Sequence, residues 1–265
     1  MFEVVFEDPY ILIVNKPAGL QVEPDKKGHP NLFDEVFIYI NSNSNIKPKQ
    51  IFLAHRLDRL TSGLVMFAKK KQALLLLQEQ FVSRSIVKKY FAFVEGQIIP
   101  EICYCEHYMI KDLKEFRSHV FNDNRKGSKK VSLTYKVLGF SNNLSTLDIE
   151  LHTGFYHQIR AQLSHLAHPV WNDVHYGAKA QSKEVAIGLQ AYAITYKHPI
   201  SNEQITVQIE KTFLFYYGTR FNIFNPFFED KIHNYSMFLP QRYNPFVTGF
   251  YPAKKFISLY FCQDY

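Results

Sequence analysis

The segment Ala54-His55-Arg56-Leu57-Asp58-Arg59-Leu60-Thr61-Ser62-Gly63 crowds groups capable of chemistry into one short stretch. Asp58 lies between Arg56 and Arg59, and His55 adds a third possible cation. Cationic neighbours hold a carboxylate in its ionised form, and an ionised Asp can serve as a nucleophile in covalent catalysis. The apolar runs 51–54 and 64–68 flank the segment and read as strands. Loops on strand ends are where a rigid scaffold presents reactive groups. On charge pattern alone, the same residues also fit an ion-pair cluster that shapes a surface turn.

Other chemistries lack an anchor. The chain has no P-loop and no G-x-G-x-x-G for a nucleotide cofactor, and no G-x-S-x-G or H-E-x-x-H. Five histidines, His152, His157, His165, His168 and His175, crowd 152–175, and His165 and His168 could share a helix face. No carboxylate or thiol joins them at metal-ligand spacing, so neither a metal nor a cofactor is expected. Cys103, Cys105 and Cys262 are too few for a four-thiolate zinc site and read as reduced structural thiols. The 265 residues are 46% hydrophobic and 21% charged, which excludes disorder over the whole length. No apolar run reaches the length of a membrane span, and the N-terminus lacks a signal-peptide pattern. A cytoplasmic protein is expected. A net charge of +7 suits a polyanionic partner.

The elements that must position Asp58 follow from periodicity and turn chemistry. Runs 4–6 and 11–14 read as a strand hairpin, and 16–19, Lys-Pro-Ala-Gly, as a turn. A helix is predicted over 32–40, capped by Asn31, then a polar loop over 41–49. Residues 73–81 and 156–167 read as amphipathic helices, the second with Ile159, Leu163 and Leu166 on one face. Strands are predicted over 89–94, 131–138, 147–151, 191–196 and 205–209. The basic stretch 111–130 reads as an insertion loop. Its Lys111, Lys114, Arg117, Arg125, Lys126, Lys129 and Lys130 are candidate phosphate contacts. Strands outnumber helices without alternating with them, which argues for an α+β fold. Residues 211–265 carry 11 Phe and 7 Tyr, a composition shift that divides the chain into 1–210 and an aromatic-rich extension, 211–265. That extension reads as packed cover or as a stacking surface for unpaired bases.

The run HRLDRLTSGLVMFAKK resembles the signature of the RluA family of pseudouridine synthases, H-R-L-D-x-x-T-S-G-L. Four more segments are similar to that family in the same order. They are VVFEDPYILIVNKPAGLQV, QFVSRSIVKKYFAFVEG, LTYKVL with LDIELHTGFYHQIRAQLSHLAHPVWNDVHYG, and LQAYAITYKHPI, together covering about residues 2–209. The resemblance implies isomerisation of uridine to pseudouridine in tRNA or rRNA, without cofactor or metal, by a member lacking the S4 RNA-binding domain. It also implies a mixed, largely antiparallel sheet with flanking helices and a central basic cleft. Asp58 matches the catalytic aspartate, Tyr90 the active-site tyrosine that packs on the target base, and Arg160 the basic partner of the aspartate. Arg56 matches a residue that holds the nucleotide out of its stack. His55, Arg59, Thr61, Ser62, His157 and Gln158 are the remaining candidate substrate contacts.

Several positions depart from the family pattern. Phe155 replaces an arginine, Ala167 and Asn172 replace glycines, and Gln190 replaces a histidine. These departures leave room for a second reading, an RNA-binding or RNA-remodelling protein of the same fold with little catalysis. A glycosidase using Asp58 would need a second carboxylate at close range, for which Asp173 is the nearest candidate by motif.

Overall fold

Runs of apolar residues that leave no polar side set the architecture. A computed structural model describes residues 2–42, 48–179, 185–211, 213–214 and 220–221, all within one unit, Met1–Phe227. Apart from Lys211 and two short strands, the aromatic extension lies outside the described residues. The chain opens with β1 (Glu3–Glu7) and β2 (Ile11–Lys16), paired antiparallel. Asp8 Oδ1 turns that hairpin by accepting from the backbone N–H groups of Tyr10 and Ile11, each at 2.7 Å. α1 (Leu32–Asn41) starts where expected: the Asn31 side chain accepts the Asp34 N–H at 2.9 Å and donates to its carboxylate at 2.7 Å. There follow β3 (Phe52–Leu53), β4 (Ser62–Ala68), α2 (Lys71–Val82), β5 (Val87–Glu95), β6 (Ile102–Asp112), β7 (Arg117–Phe121), β8 (Lys129–Ser141), β9 (Leu144–Leu151), α3 (Gln158–His165), β10 (Leu189–Lys197) and β11 (Gln204–Gln208). Phe213–Leu214 pairs antiparallel with Arg220–Phe221.

Among the described residues, eleven strands form one sheet in the order β1-β2-β4-β10-β5-β9-β8-β6-β7, with β3 beside β4 and β11 beside β10. β10 and β4 run parallel, Gln190 opposite Ser62 and Ala191 opposite Gly63; the other neighbours run antiparallel. The α+β class and the mixed, largely antiparallel sheet are therefore as expected. One face of the sheet carries Leu12, Val14, Val65, Phe67, Tyr90 and Ala92, covered by Leu32, Val36 and Ile40 of α1 and by Ile159 and Leu163 of α3. The other face carries Ile11, Ile13, Leu64 and Met66, covered by Ala73 and Leu77 of α2. Strands covered on both sides read as continuous apolar runs rather than alternating ones, which is why 11–14 and 64–68 look as they do.

Two expectations need correction. The stretch 111–130 is not an insertion loop. β6 runs on to Asp112, a turn held by Asp112 Oδ1 accepting from the N–H groups of Lys114 and Glu115 follows, and β7 returns along β6. Burial alternates along β6 up to Met109, but inward positions of the hairpin are polar as well as apolar: His107 and Ser118 are buried alongside Met109. The third helix is also shorter than 156–167. His157 adopts φ +54° just before it, and Ala167 adopts φ +63° just after it.

Candidate active site

Asp58 sits in the loop between β3 and β4, and the turn after β2 holds that loop. Lys16, fully buried, donates from Nζ to the carbonyls of Pro17 (2.9 Å), Leu20 (2.8 Å) and Arg59 (3.2 Å). Burial pulls the Lys16 ammonium down to about 7, against the opposing charge of Asp58. The Gly19 N–H donates to the Arg59 carbonyl at 2.8 Å, and Arg59 Nε donates back to the Gly19 carbonyl at 3.1 Å. The Thr61 N–H donates to the Asp58 carbonyl at 3.1 Å and tightens the loop on its other side. At the loop's exit, Gly63 takes φ +116°, and a Cβ there would overlap the backbone of Ala191 in β10. A side chain at 63 is incompatible with the β4–β10 pair.

The Asp58 side chain is 22% exposed and meets a buried arginine, Arg160, 3% exposed, whose Nη1 donates to Asp58 Oδ2 at 3.3 Å. The same guanidinium grips Asp173 in bidentate fashion: Nε to Oδ2 at 2.6 Å and Nη2 to Oδ1 at 2.9 Å. Burial works against the charge of Arg160, and the bonds to Asp173 and the charge of Asp58 outweigh it, so the guanidinium stays protonated. The His157 Nε2 lies 3.7 Å from Asp58 Oδ2. Its ring stacks on Tyr156 at 3.8 Å, and its Nδ1 is 3.1 Å from the Tyr176 hydroxyl. Burial, and then the charge of Arg160, pull His157 down to about 3, so the imidazole is neutral. Tyr90 is buried on the cleft side of β5, where burial and then the Asp58 carboxylate push its phenol upward, keeping it protonated.

The structure thus brings Asp58, Arg160 and His157 together, with Tyr90 within reach of the carboxylate's charge. Other expected contacts lie elsewhere. His55 Nε2 accepts the Met66 N–H at 3.1 Å and its ring packs 5.3 Å from Phe81; burial lowers it to about 4. Arg56 is exposed and pairs with Glu23. Thr61 and Ser62 are buried, and their hydroxyls have no hydrogen-bond partner among the described residues. Gln158 is held by its neighbours in the fold. Its amide oxygen accepts from the Thr153 hydroxyl (2.8 Å) and the Phe155 N–H (3.1 Å). Its nitrogen donates to the Ser132 carbonyl (3.1 Å) and to Gln162 (2.9 Å). All four of these hydrogen bonds are internal, and Gln158 pins the strand–helix junction. Asp173 likewise gives both oxygens to Arg160, so it is not the free second acid that a glycosidase would need.

The departures have local explanations. Asn172 takes φ +64°, a conformation that Asn tolerates in place of Gly, and its side chain donates to the Ala186 carbonyl at 2.7 Å. Ala167 accepts the same left-handed strain at the end of α3. Phe155 packs against the cluster of Met109, Val131, Ala161 and Tyr176. Gln190 is buried and donates to the Glu210 carbonyl at 3.2 Å.

Sequence reasoning missed Lys16 and the clamping role of Asp173. The available signal was a lysine closing a strand that opens with four apolar residues, just before Pro-Ala-Gly. The five histidines do not converge on a metal: His152 meets Thr134, His165 meets Asn122, His168 bonds the Glu95 carbonyl and His175 faces the Phe116 carbonyl. Among the described residues, Asp112, Glu115 and His119 place three ligand atoms within 4.8 Å of one another, on the β6–β7 turn. Cys103 and Cys105 are free thiols with sulfurs 3.5 Å apart, and Cys262 lies outside the described residues. Of the basic side chains, Lys111 lies over the Tyr156 ring at 4.3 Å and Arg117 over Tyr176 at 5.3 Å, beside the site. No described helix is long and apolar enough to cross a membrane.

Comparison with known proteins converges on one family. Residues 10–165 match the model of RNA pseudouridylate synthase. The chain is 33% identical over 230 residues to an uncharacterized RNA pseudouridine synthase of Mycoplasma pneumoniae, covering 80% of this chain and 68% of that one. It is 28% identical to the tRNA pseudouridine synthase C of Pasteurella multocida, over 77% of this chain and 89% of that one. It is also 28% identical to the ribosomal large subunit pseudouridine synthase D of Zymomonas mobilis, over 78% and 68%. In fold it is similar to the human RNA pseudouridylate synthase domain containing 4, with a TM-score of 0.66 at 21% identity, covering 78% of this chain and 88% of that one.

Proposed function

The chain belongs to the RNA pseudouridylate synthase family, whose members isomerise uridine in RNA, and from that premise we propose that Asp58 is its catalytic carboxylate. The reaction breaks the N1–C1′ bond of a uridine, turns the uracil and joins C5 to C1′. C5 gives up its proton and N1 ends protonated, so atoms balance without a cofactor. Asp58 engages the target nucleotide while the glycosidic bond is open. Arg160 pairs with that carboxylate and fixes its direction. The neutral phenol of Tyr90 supplies the flat wall against which the detached uracil stays and turns, and neutral His157 limits the carboxylate on its other side. Arg56 and Arg59, exposed on the same loop, meet the RNA.

One observation carries this reading: the partly covered carboxylate of the constellation is Asp58, bonded to a buried guanidinium whose Nε and Nη2 are taken by Asp173. An arginine built only for stability would not leave one of its two carboxylates open. The substrate is a uridine in structured tRNA or rRNA. It must leave its stack to reach the pocket, at a cost of a few kcal/mol.

The test is tritium release from 5-tritiated uridine transcripts, with total tRNA and rRNA run in parallel. Wild type releases tritium from one pool. Asp58→Asn releases none, while its RNA affinity stays within about threefold of wild type, since Asp58 is not a phosphate contact. Release by Asp58→Asn at the wild-type rate would remove Asp58 from the chemistry. No release by wild type from either pool, with tight binding retained, would favour an RNA-binding protein of this fold.

A further inference from the structure

A cavity of about 240 Å³ is lined by Phe81, Arg84, Lys88, Lys129, Lys130 and residues 152–155. Its charges do not balance. The Lys130 ammonium pairs with Glu106 at 2.7 Å, and His152 lies 3.6 Å from Glu150. Arg84, Lys88 and Lys129, in contrast, have no carboxylate partner among the described residues. Lys88 is half-buried, and burial followed by the charge of Arg84 lowers its pKa. A covered ammonium facing a second cation is unfavourable until an anion joins it.

We propose that Arg84, Lys88 and Lys129 hold a backbone phosphate of the RNA strand that carries the target uridine, with Phe155 as the apolar wall for the adjoining sugar or base. The inference rests on the function proposed above and adds a subsite to it. Position supports it. Lys88 and Tyr90 project from the same side of β5, two residues and so about 7 Å apart along the strand, roughly the reach of one nucleotide. The Lys88 Nζ also lies near the backbone of Gly154, 3.6 Å from where a Cβ would stand. From there the chain reaches Tyr156 and His157, which flank Asp58. One strand and one loop therefore line both the reacting centre and this cationic pocket. An aromatic face beside a cation pair accepts any base, so the subsite grips the strand without reading its sequence.

The test is the salt dependence of binding to a short fluorescein-labelled oligouridylate, followed by anisotropy. Lys88→Met and Arg84→Asn are compared with wild type and with Lys71→Gln, which removes an exposed charge on α2. For single strands, log K falls with log salt by about 0.7 per phosphate contact. Lys88→Met and Arg84→Asn should each flatten that slope by up to about 0.7 and weaken binding roughly tenfold at low salt. Lys71→Gln should leave both unchanged, and Phe155→Ala should weaken binding without altering the slope. In the tritium assay Lys88→Met should raise KM and keep kcat. Its Tm should hold or rise, because an unpartnered charge is removed; were it to fall, Arg84→Asn, at an exposed position, decides the matter. Unchanged slopes in both variants, or a loss of kcat at constant KM, would overturn the proposal. A wild type that shows the slope effect but releases no tritium would sink the isomerase reading and leave the phosphate site standing.

Discussion

Arg160 is the residue on which the centre turns, and its two carboxylates have different tasks. Asp173 is wholly buried and bidentate, whereas Asp58 is partly open and holds a single, longer bond. Removing one partner of a buried pair leaves an uncompensated charge, which costs about 3–5 kcal/mol. Asp173→Asn should therefore lower stability by that order in chemical denaturation and lose most tritium release. Asp58→Asn should lose the activity with a much smaller stability cost, because solvent reaches that side chain. If both variants unfold alike, the division of tasks between the two carboxylates is wrong. Periodicity could not have found Arg160. The expected helix face was Ile159, Leu163 and Leu166, which implies a solvated back. In α3, Gln158, Ile159, Arg160, Ala161, Gln162 and Leu163 are all buried, because the helix is covered on every side. The motif resemblance supplied what an amphipathic pattern cannot.

At the scale of elements, the decisive contact is between Gly63 and β10. A Cβ at 63 would fall on the Ala191 backbone rather than on a movable side chain, and the glycine also holds φ +116°. Neither problem relaxes by a rotamer change. Gly63→Ala should destabilise the protein by several kcal/mol, roughly 3–5, read as a drop in Tm or in soluble yield. A Tm within a few degrees of wild type would show that β4 and β10 can part without harm. Most strands were legible because two-sided cover makes them continuous apolar runs. The β6–β7 hairpin was not, because inward His107 and Ser118 look like loop residues until a buried partner is in view: Gln162 lies 2.9 Å from the His107 ring, and the Tyr176 hydroxyl accepts the Ser118 N–H at 2.8 Å. The turn after β2 was seen as a turn, but nothing local to Lys-Pro-Ala-Gly says that its lysine holds a carbonyl 43 residues away.

The whole molecule carries a pH signature from its buried imidazoles. His55 is lowered to about 4 and His157 to about 3, against an ordinary value of 6.5. Between those values and 6.5 the unfolded chain holds protons that the folded chain refuses, so stability falls as pH falls. Each group contributes up to about 1.4 kcal/mol per pH unit in that window. Denaturation at neutral pH, and then at mildly acidic pH, should show a steep loss below 6.5. The slope should be shallower in His55→Gln, which has no proton to take up. An equal slope in that variant would place the acid sensitivity elsewhere. The α+β class was legible from the ratio of strands to helices. The strand order was not, since no local pattern says that a strand near residue 190 lies between those at 62–68 and 87–95.

That order has a consequence for how the protein comes into being. Among the described strands, β10 alone joins the β1–β4 side of the sheet to the β5–β9 side. Asp58 belongs to the first side, and Arg160 and Asp173 follow the second. A ribosome will have released both halves of the site before it makes the strand that unites them. Until residues 189–197 emerge, the two halves have no shared sheet and two open strand edges that invite mispairing. Pairings this distant in sequence also close slowly. The centre is thus assembled only after residues 189–197 have emerged, so the nascent chain cannot act on RNA before its central strand is in place.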